Sequence, residues 1–312
     1  MRKFRFGVLG ESVRDTAGLL TTATRAEELG YSTFLLRDHF VTEPFGDQLS
    51  PMPALAAVAM ATTKLRLGTL VLANDYRHPV LLAKEAATLQ EISGGRFELG
   101  IGAGWHRDEY ERAGLAFDAA GTRVGRLAEA VPILKSLLDG KEVTADGAHY
   151  RIDGLATFPN AATATPILMG SGGPRMLRLA GQTADIVGIL PIALPEGAIS
   201  GALSERSSAA MARKIALVAE GAGSRFDDIE LTQILTVHVV DDHREEAERI
   251  ARTRGWGDGE VVLDMPSKVV GPVDRIVDEL LDRRERFGLS YHVVSDTDLE
   301  RFAPVVALLA GK

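Results

Sequence analysis

Short apolar runs alternate with amphipathic stretches along almost the whole chain, and each repeat reads as a strand, a loop and a helix. Phe4–Leu9 predicts the first strand, and Arg14–Leu29 a helix stopped by Gly30, a glycine just past the last periodic residue. Thr33–Leu36 predicts a second strand, running into Arg37-Asp38-His39-Phe40. Leu65–Leu72 predicts a third, with the leucine and valine content of a strand covered on both faces. Pro79 opens a helix whose Leu82, Ala86 and Leu89 recur at helical spacing, with proline where its missing N–H costs nothing. Phe97–Ile101 reads as a fourth strand, and Val124, Leu127, Val131, Leu134 and Leu138 form a helical stripe. Pro166–Met169, Ile186–Leu190, Leu231–Val240 and Tyr291–Val294 supply four more strands. Asp242 with Glu245 makes a capping-box-like start to a helix that ends basic before Gly255. Pro272 opens the last long helix, with Val273, Ile276, Val277, Leu280 and Leu281 as its stripe.

Strands that alternate with helices predict a parallel sheet, because a right-handed crossover needs a helix between neighbours. A closed barrel and an open doubly wound sheet both satisfy the alternation. The count of eight strands and the absence of a linker favour an α/β protein with a (β/α)8 TIM barrel, one domain over residues 1–312. Two stretches break the rhythm. Gly140–Phe158 reads as a small β-excursion around Asp146-Gly147. Pro191–Arg225 is Ala/Ser-rich and poorly periodic, and is either a mobile lid or a solvent-exposed insertion.

Composition narrows the function classes. With 46% hydrophobic and 25% charged residues the chain is globular, which sets aside disordered, fibrous and membrane-spanning classes. It has no cysteine, so disulfides, thiolate metal sites and cysteine nucleophiles are excluded. A formal net charge of -8 offers no basic footprint, so nucleic acid is not an expected partner. The opening MRKFRFGVLG enters the first strand without an apolar signal core or a small-residue cleavage site, which points to a cytoplasmic protein.

In an α/β barrel the reactive groups sit on the loops after the C-terminal ends of the strands. After the fifth strand comes Gly170-Ser171-Gly172-Gly173-Pro174. A glycine-rich turn feeding a helix with proline at its first position leaves backbone N–H groups free at a positive helix end, which suits a phosphate; a tight turn needing glycine's flexibility reads the same way. Gly100–Trp105 spells Gly-Ile-Gly-Ala-Gly-Trp and fails the dinucleotide pattern at its last glycine. His39 is the leading catalytic candidate, a neutral-pH acid or base at a strand end, against the alternative of a structurally satisfied histidine. Alternation along a strand sets Asp38 and His39 on opposite faces, so they form no dyad unless the chain bends. His78 before Pro79 reads as a loop-ordering residue. His106 and Glu109 can share a helix face, but two ligands do not make a metal site, and none is expected. His149, His238, His243 and His292 show no constellation, and no serine sits in a nucleophile elbow. Up to this point the residues give a barrel with a phosphate-bearing ligand and a histidine near it, not a reaction.

Several stretches resemble the luciferase-like monooxygenase family of flavin- and deazaflavin-dependent barrels. They are Arg37-Asp38-His39-Phe40, Leu67–Leu72, Arg77-His78-Pro79, Ser93-Gly94-Gly95-Arg96, Gly100–Trp105, and Pro166–Arg175 running on to Ala184-Asp185, in the family's order. The run Asn74–Pro79 together with Gly-Ala-Gly-Trp is most similar to the branch that depends on coenzyme F420. The resemblance implies an oxidoreductase that moves a hydride between F420 and a small organic substrate. Its alternatives are an FMN-dependent monooxygenase using O2 and a non-catalytic flavin-binding barrel.

The same resemblance implies site roles. His39 would lie near the reactive ring carbon, Asp38 would contact the cofactor, and a bulge with a non-proline cis peptide at Leu70-Val71 would back the ring. Ala103, Gly104 and Asp108, with Gly170, Gly172, Gly173, Arg175 and Met176, would hold the ribityl-phosphate side. Members that oxidise glucose 6-phosphate carry a Glu where this chain has Trp105 and a Trp where it has Glu43. Those two positions therefore mark the substrate pocket, and sugar oxidation is not expected. No basic cluster for a substrate phosphate stands out in Pro191–Arg225, where Arg213 and Lys214, with Lys268, are the candidates. Family habit implies a homodimer.

Overall fold

The computed structural model describes residues 1–160 and 163–312. Nine hydrogen-bonded segments form one sheet, and two of them are the halves of a single broken strand. The strands are β1 (Arg5–Leu9), β2 (Thr33–Leu36), β3 (Arg66–Thr69, resuming at Leu72–Ala73), β4 (Phe97–Gly102), β5 (Ile167–Ser171), β6 (Ile186–Ile189), β7 (Glu230–Ile234) and β8 (Leu289–Ser295). Each pairs in parallel with its neighbours in sequence, and β1 also pairs with β8, with Arg5 opposite Tyr291 and Leu9 opposite Ser295. That last ladder closes the ring and decides between the barrel and the open sheet. β2, β4 and β6 are buried at every position, because one face meets the barrel interior and the other the surrounding helices.

The interior explains why only one end of the barrel is free. Leu9, Leu35, Leu70, Leu168, Ile186, Tyr291 and Val293 fill its middle. At the N-terminal ends of the strands Arg5 donates to Glu98 and Glu230, each at 2.6 Å, and lies 3.7 Å from the centroid of the Tyr291 ring. Arg66 donates to the same Glu98 carboxylate. Two guanidinium groups facing two carboxylates satisfy each other and plug this end. The room for a ligand lies at the opposite, C-terminal mouth.

Among the described residues eleven α-helices surround the barrel. They begin with α1 (Thr16–Glu28), α2 (Pro51–Ala61) and α3 (Pro79–Ile92), and those that reach the site are α4 (Arg107–Arg112), α5 (Ala120–Leu138), α6 (Pro174–Thr183) and α7 (Ser208–Ala222). α8 (His243–Arg254), α9 (Gly259–Leu263), α10 (Val273–Phe287) and α11 (Leu299–Leu309) complete the ring. Start signals in the sequence work as local chemistry requires. Asp242 accepts from the N–H groups of Arg244 and Glu245, and α8 ends at Gly255 in the left-handed region. Among the described residues no helix is long and apolar enough to cross a membrane.

Four details differ from the sequence reading or refine it. The excursion at 140–158 is an antiparallel hairpin of Val143–Asp146 with Arg151–Leu155. The strand expected over Leu65–Leu72 is interrupted, and its Leu70–Val71 peptide is cis. The single strand expected over Leu231–Val240 is two. β7 stays in the barrel, while Thr236–Val239 leaves it to pair with Lys268–Gly271.

The segment Pro191–Arg225 is not one insertion either. Its second half is the 15-residue α7, packed on α6 through small residues. A Cβ on Gly181 would lie 2.2 Å from the Val218 carbonyl oxygen, and one on Gly221 would lie 2.1 Å from that of Arg178. Such close backbone approach needs glycine and alanine, which hide the large-residue periodicity that marks other helices.

Candidate functional site

A cavity of about 720 Å³ opens at the C-terminal mouth, within the range of ordinary cofactor pockets. It is walled by the loops after β2, β3, β4, β5 and β6 and by the start of α5. Of the positions singled out above, Asp38, His39, Leu70, Val71, Ala103, Gly104, Trp105, Gly170, Gly172, Gly173, Arg175 and Met176 all line it. Asp108 and Glu43 do not. Asp108 is exposed and pairs with Arg112 one turn along α4. Adjacent helical residues point about 100° apart, so turning Glu109 inward turns Asp108 out. Glu43 lies exposed in the loop between β2 and α2, while Phe45 from the same loop reaches the cavity.

Asp38 and His39 follow the end of β2 and face different partners. The Asp38 carboxylate accepts from Arg77 at 2.6 and 3.1 Å, and from the Ala73 N–H at 3.2 Å. It thereby ties the resumed half of β3 and the loop after it to β2. His39 instead presents Nδ1 to Glu109, 3.0 Å from each carboxylate oxygen. The Glu109 side chain is 1% exposed and also accepts from the N–H groups of Phe40 (2.7 Å) and Val41 (3.3 Å) and from the Tyr76 hydroxyl (3.1 Å). Burial alone would raise its pKa. The His39 hydrogen bond and charge and the two N–H groups outweigh burial and hold Glu109 below the usual carboxylate range. His106, its expected partner, lies 3.8 Å away. His78 accepts from the Val80 N–H at 3.3 Å and caps α3, a local role.

Trp105, Phe45 and His39 form an aromatic wall. Ring centroids lie 4.9 Å apart for His39 and Phe45, 5.9 Å for His39 and Trp105, and 6.2 Å for Phe45 and Trp105. Arg37 stacks on the Phe45 ring while paired with Glu11.

The glycine-rich turn after β5 lines the same cavity. Gly173 caps α6 without a side-chain hydrogen bond and Pro174 opens the helix, so the first-turn N–H groups have no capping partner among the described residues. The buried Ser171 hydroxyl has no partner among the described residues. Two guanidinium groups line the same cavity. Arg175 donates to the Gly121 carbonyl at 2.9 Å and is otherwise exposed. Arg123 is buried against the Phe117 ring, its Nε without a partner among the described residues. Gly104 has a φ of +76, and a Cβ there would meet the Tyr110 hydroxyl at 1.8 Å, so this loop needs glycine.

The basic candidates for a substrate phosphate are not free at this site. The Lys214 ammonium pairs with Glu205 at 2.9 Å and donates to the carbonyls of Leu190 and Glu205. Arg213 and Lys268 lie outside the lining, and burial beside Arg254 and Arg206 pushes the Lys268 ammonium down to about 8. Among the described residues no three His, Cys, Asp or Glu side chains are grouped to hold a metal ion.

Residues 4–269 match the model of the family described as luciferase-like monooxygenase. The chain belongs to that family. Among the luciferase-like proteins it is 31% identical over 269 residues to the F420-dependent glucose-6-phosphate dehydrogenase of Nakamurella multipartita, covering 84% of this chain and 75% of the relative. It is 28% identical to the 4-hydroxyprotoasukamycin monooxygenase of Streptomyces nodosus subsp. asukaensis, covering 86% and 77%. Its barrel superposes on the coenzyme F420-dependent tetrahydromethanopterin reductase of Methanopyrus kandleri with a TM-score of 0.73 at 20% identity, covering 99% of both chains. An F420-dependent secondary alcohol dehydrogenase solved with an F420–acetone adduct gives 0.78 at 18%, again covering 99% of each. At those identities the two structures speak for the fold.

Proposed function

We propose that this chain is an oxidoreductase that transfers a hydride between coenzyme F420 and a small organic substrate. The observation that carries the reading is one mouth that joins a histidine–carboxylate pair, an aromatic wall and an uncapped glycine turn followed by Arg175. The deazaflavin supplies hydride transfer when bound. Leu70 and Val71 would back its ring, and Ala103 and Gly104 would border its ribityl-phosphate side. The phosphate would lie at Gly172, Gly173, Arg175 and Met176, where free N–H groups and the unpartnered Ser171 hydroxyl await an acceptor. Asp38, bound to Arg77 and Ala73, would set the frame of that wall. His39 would move the substrate proton.

A sugar phosphate fits this pocket poorly, although relatives carry that activity in their names. Trp105 and Phe45 make the substrate side apolar, and Glu205 already engages Lys214. A substrate that stacks on an aromatic face suits it better. The reading extends to a cytoplasmic homodimer of single-domain chains, which sedimentation showing monomer alone would contradict.

A second reading has its own support, since a monooxygenase is among the relatives. FMN shares the phosphate and ribityl chain, so the same turn would hold it. The test is equilibrium binding of cofactor-free protein to F420 and to FMN, followed by fluorescence. Tight F420 and weak FMN binding supports hydride transfer. The reverse preference, with oxygen uptake on adding reduced FMN, replaces it with the monooxygenase, and binding of neither overturns the cofactor site.

A further inference from the structure

We infer that Glu109 is the positioning residue of His39, fixing the imidazole proton on Nδ1 and leaving Nε2 as the nitrogen that exchanges a proton with substrate. The inference rests on the hydride-transfer reading of the site. Three observations carry it. The carboxylate meets Nδ1 through both oxygens at 3.0 Å. It is anchored independently by the Phe40 and Val41 N–H groups and the Tyr76 hydroxyl, so it stays in place without His39. Among the described residues His39 has hydrogen bonds only at Nδ1, and its ring lines the cavity.

An ionised carboxylate can only accept, so Nδ1 must carry a proton, and in the neutral imidazole Nε2 is left with a lone pair. This division of labour is the one by which a buried carboxylate orients a catalytic histidine elsewhere. It also answers the loss of a Glu at Trp105. A carbon that gives up hydride to oxidised cofactor leaves a carbonyl only if its hydroxyl proton also departs. Nε2 receives that proton, and Glu109 stabilises the resulting imidazolium. The products are a carbonyl compound, reduced cofactor and protonated His39; in reverse, His39 protonates the oxygen of a reduced carbonyl. The pair thus suits an alcohol–carbonyl couple on an apolar, planar substrate.

The test starts on cofactor-free protein. Long-range ¹⁵N spectra, with His39 assigned by its loss in His39→Asn, should show the Nδ1–H tautomer. In Glu109→Gln the Phe40 N–H keeps the amide oxygen at the Oε1 position. The amide nitrogen then falls where Oε2 met His39 and sets a donor against Nδ1 in place of one of its two acceptors, which should shift the ring toward the Nε2–H tautomer. Turnover should fall at least ~100-fold, as for loss of a general base, with the F420 dissociation constant changed less than ~3-fold. Tyr76→Phe, which takes only one donor from Glu109, should retain the Nδ1–H tautomer. A wild-type Nε2–H tautomer overturns the inference whether or not any variant folds, as does Glu109→Gln with Nδ1–H retained and turnover within ~3-fold. If wild-type protein fails to bind F420, the function reading falls while the tautomer result stands by itself.

Discussion

Replacing Arg175 by Ala tests the anion end of the site in isolation. The side chain is exposed and makes one hydrogen bond, to the Gly121 carbonyl, so its loss should leave the fold alone. Charge-assisted hydrogen bonds contribute about 1.5–3 kcal/mol, whereas exposed ion pairs contribute about 0.2–1. Arg175 lies between these limits, because its guanidinium meets solvent but stands beside an uncapped helix end that already favours an anion. About 1–1.5 kcal/mol is expected, a loss of about 5–13-fold in affinity. The assay compares two ligands by fluorescence titration: a deazaflavin with its phosphate, and the same ring and ribityl chain without it. Only the phosphate-bearing ligand should lose affinity, and the difference should shrink as salt rises, since an exposed charge is screened within about 10 Å at 0.1 M. Equal loss for both ligands would show that Arg175 shapes the pocket rather than binding an anion. No loss for either would move the phosphate away from the turn.

Three further outcomes follow from the geometry. His39→Ala should cut turnover by ~10²–10⁴ with cofactor affinity nearly intact, and a collapse of binding instead would make His39 structural. Glu98→Ala leaves Arg5 and Arg66 facing one remaining carboxylate at the closed end of the barrel, and should cost about 3–5 kcal/mol in chemical denaturation; a cost under about 1 kcal/mol refutes the plug. His292 is fully buried against Phe4 and Phe6, neither ring nitrogen has a partner among the described residues, and burial pushes it down to about 3. The unfolded chain takes up that proton near pH 6.5 and the folded one does not, so stability should fall as pH drops from about 6.5 toward 3. His292→Leu should remove up to about 1.4 kcal/mol per pH unit of that slope, and an unchanged slope contradicts it.

Much of the fold was legible from local pattern because parallel strands covered on both faces are nearly unbroken apolar runs. Phe97–Ile101 and Ile186–Leu190 could hardly be anything else. Leu231–Val240 was not legible as two strands. Its residues are equally apolar across the break at Leu235, and which half stays in the barrel depends on partners at Leu289–Ser295 and Lys268–Gly271, far off in the chain. α7 was missed for a different reason. A helix that packs on glycine and alanine presents no stripe of large side chains, and its buried Lys214 reads as surface charge. α11, which covers β1, went unread as well.

By itself the sequence determined the strand–helix alternation, the caps and the glycine-rich turn, since each depends on residues within one or two turns of one another. It also placed His39 at a strand end. Only the tertiary structure decided that the sheet closes, that Arg5, Arg66, Glu98 and Glu230 plug one mouth, and that Glu109 rather than Asp108 faces His39. Those two residues are 70 positions apart. They meet because β2 and β4 flank β3 in the ring and their following loops converge over it, and no local periodicity encodes a contact across that mouth.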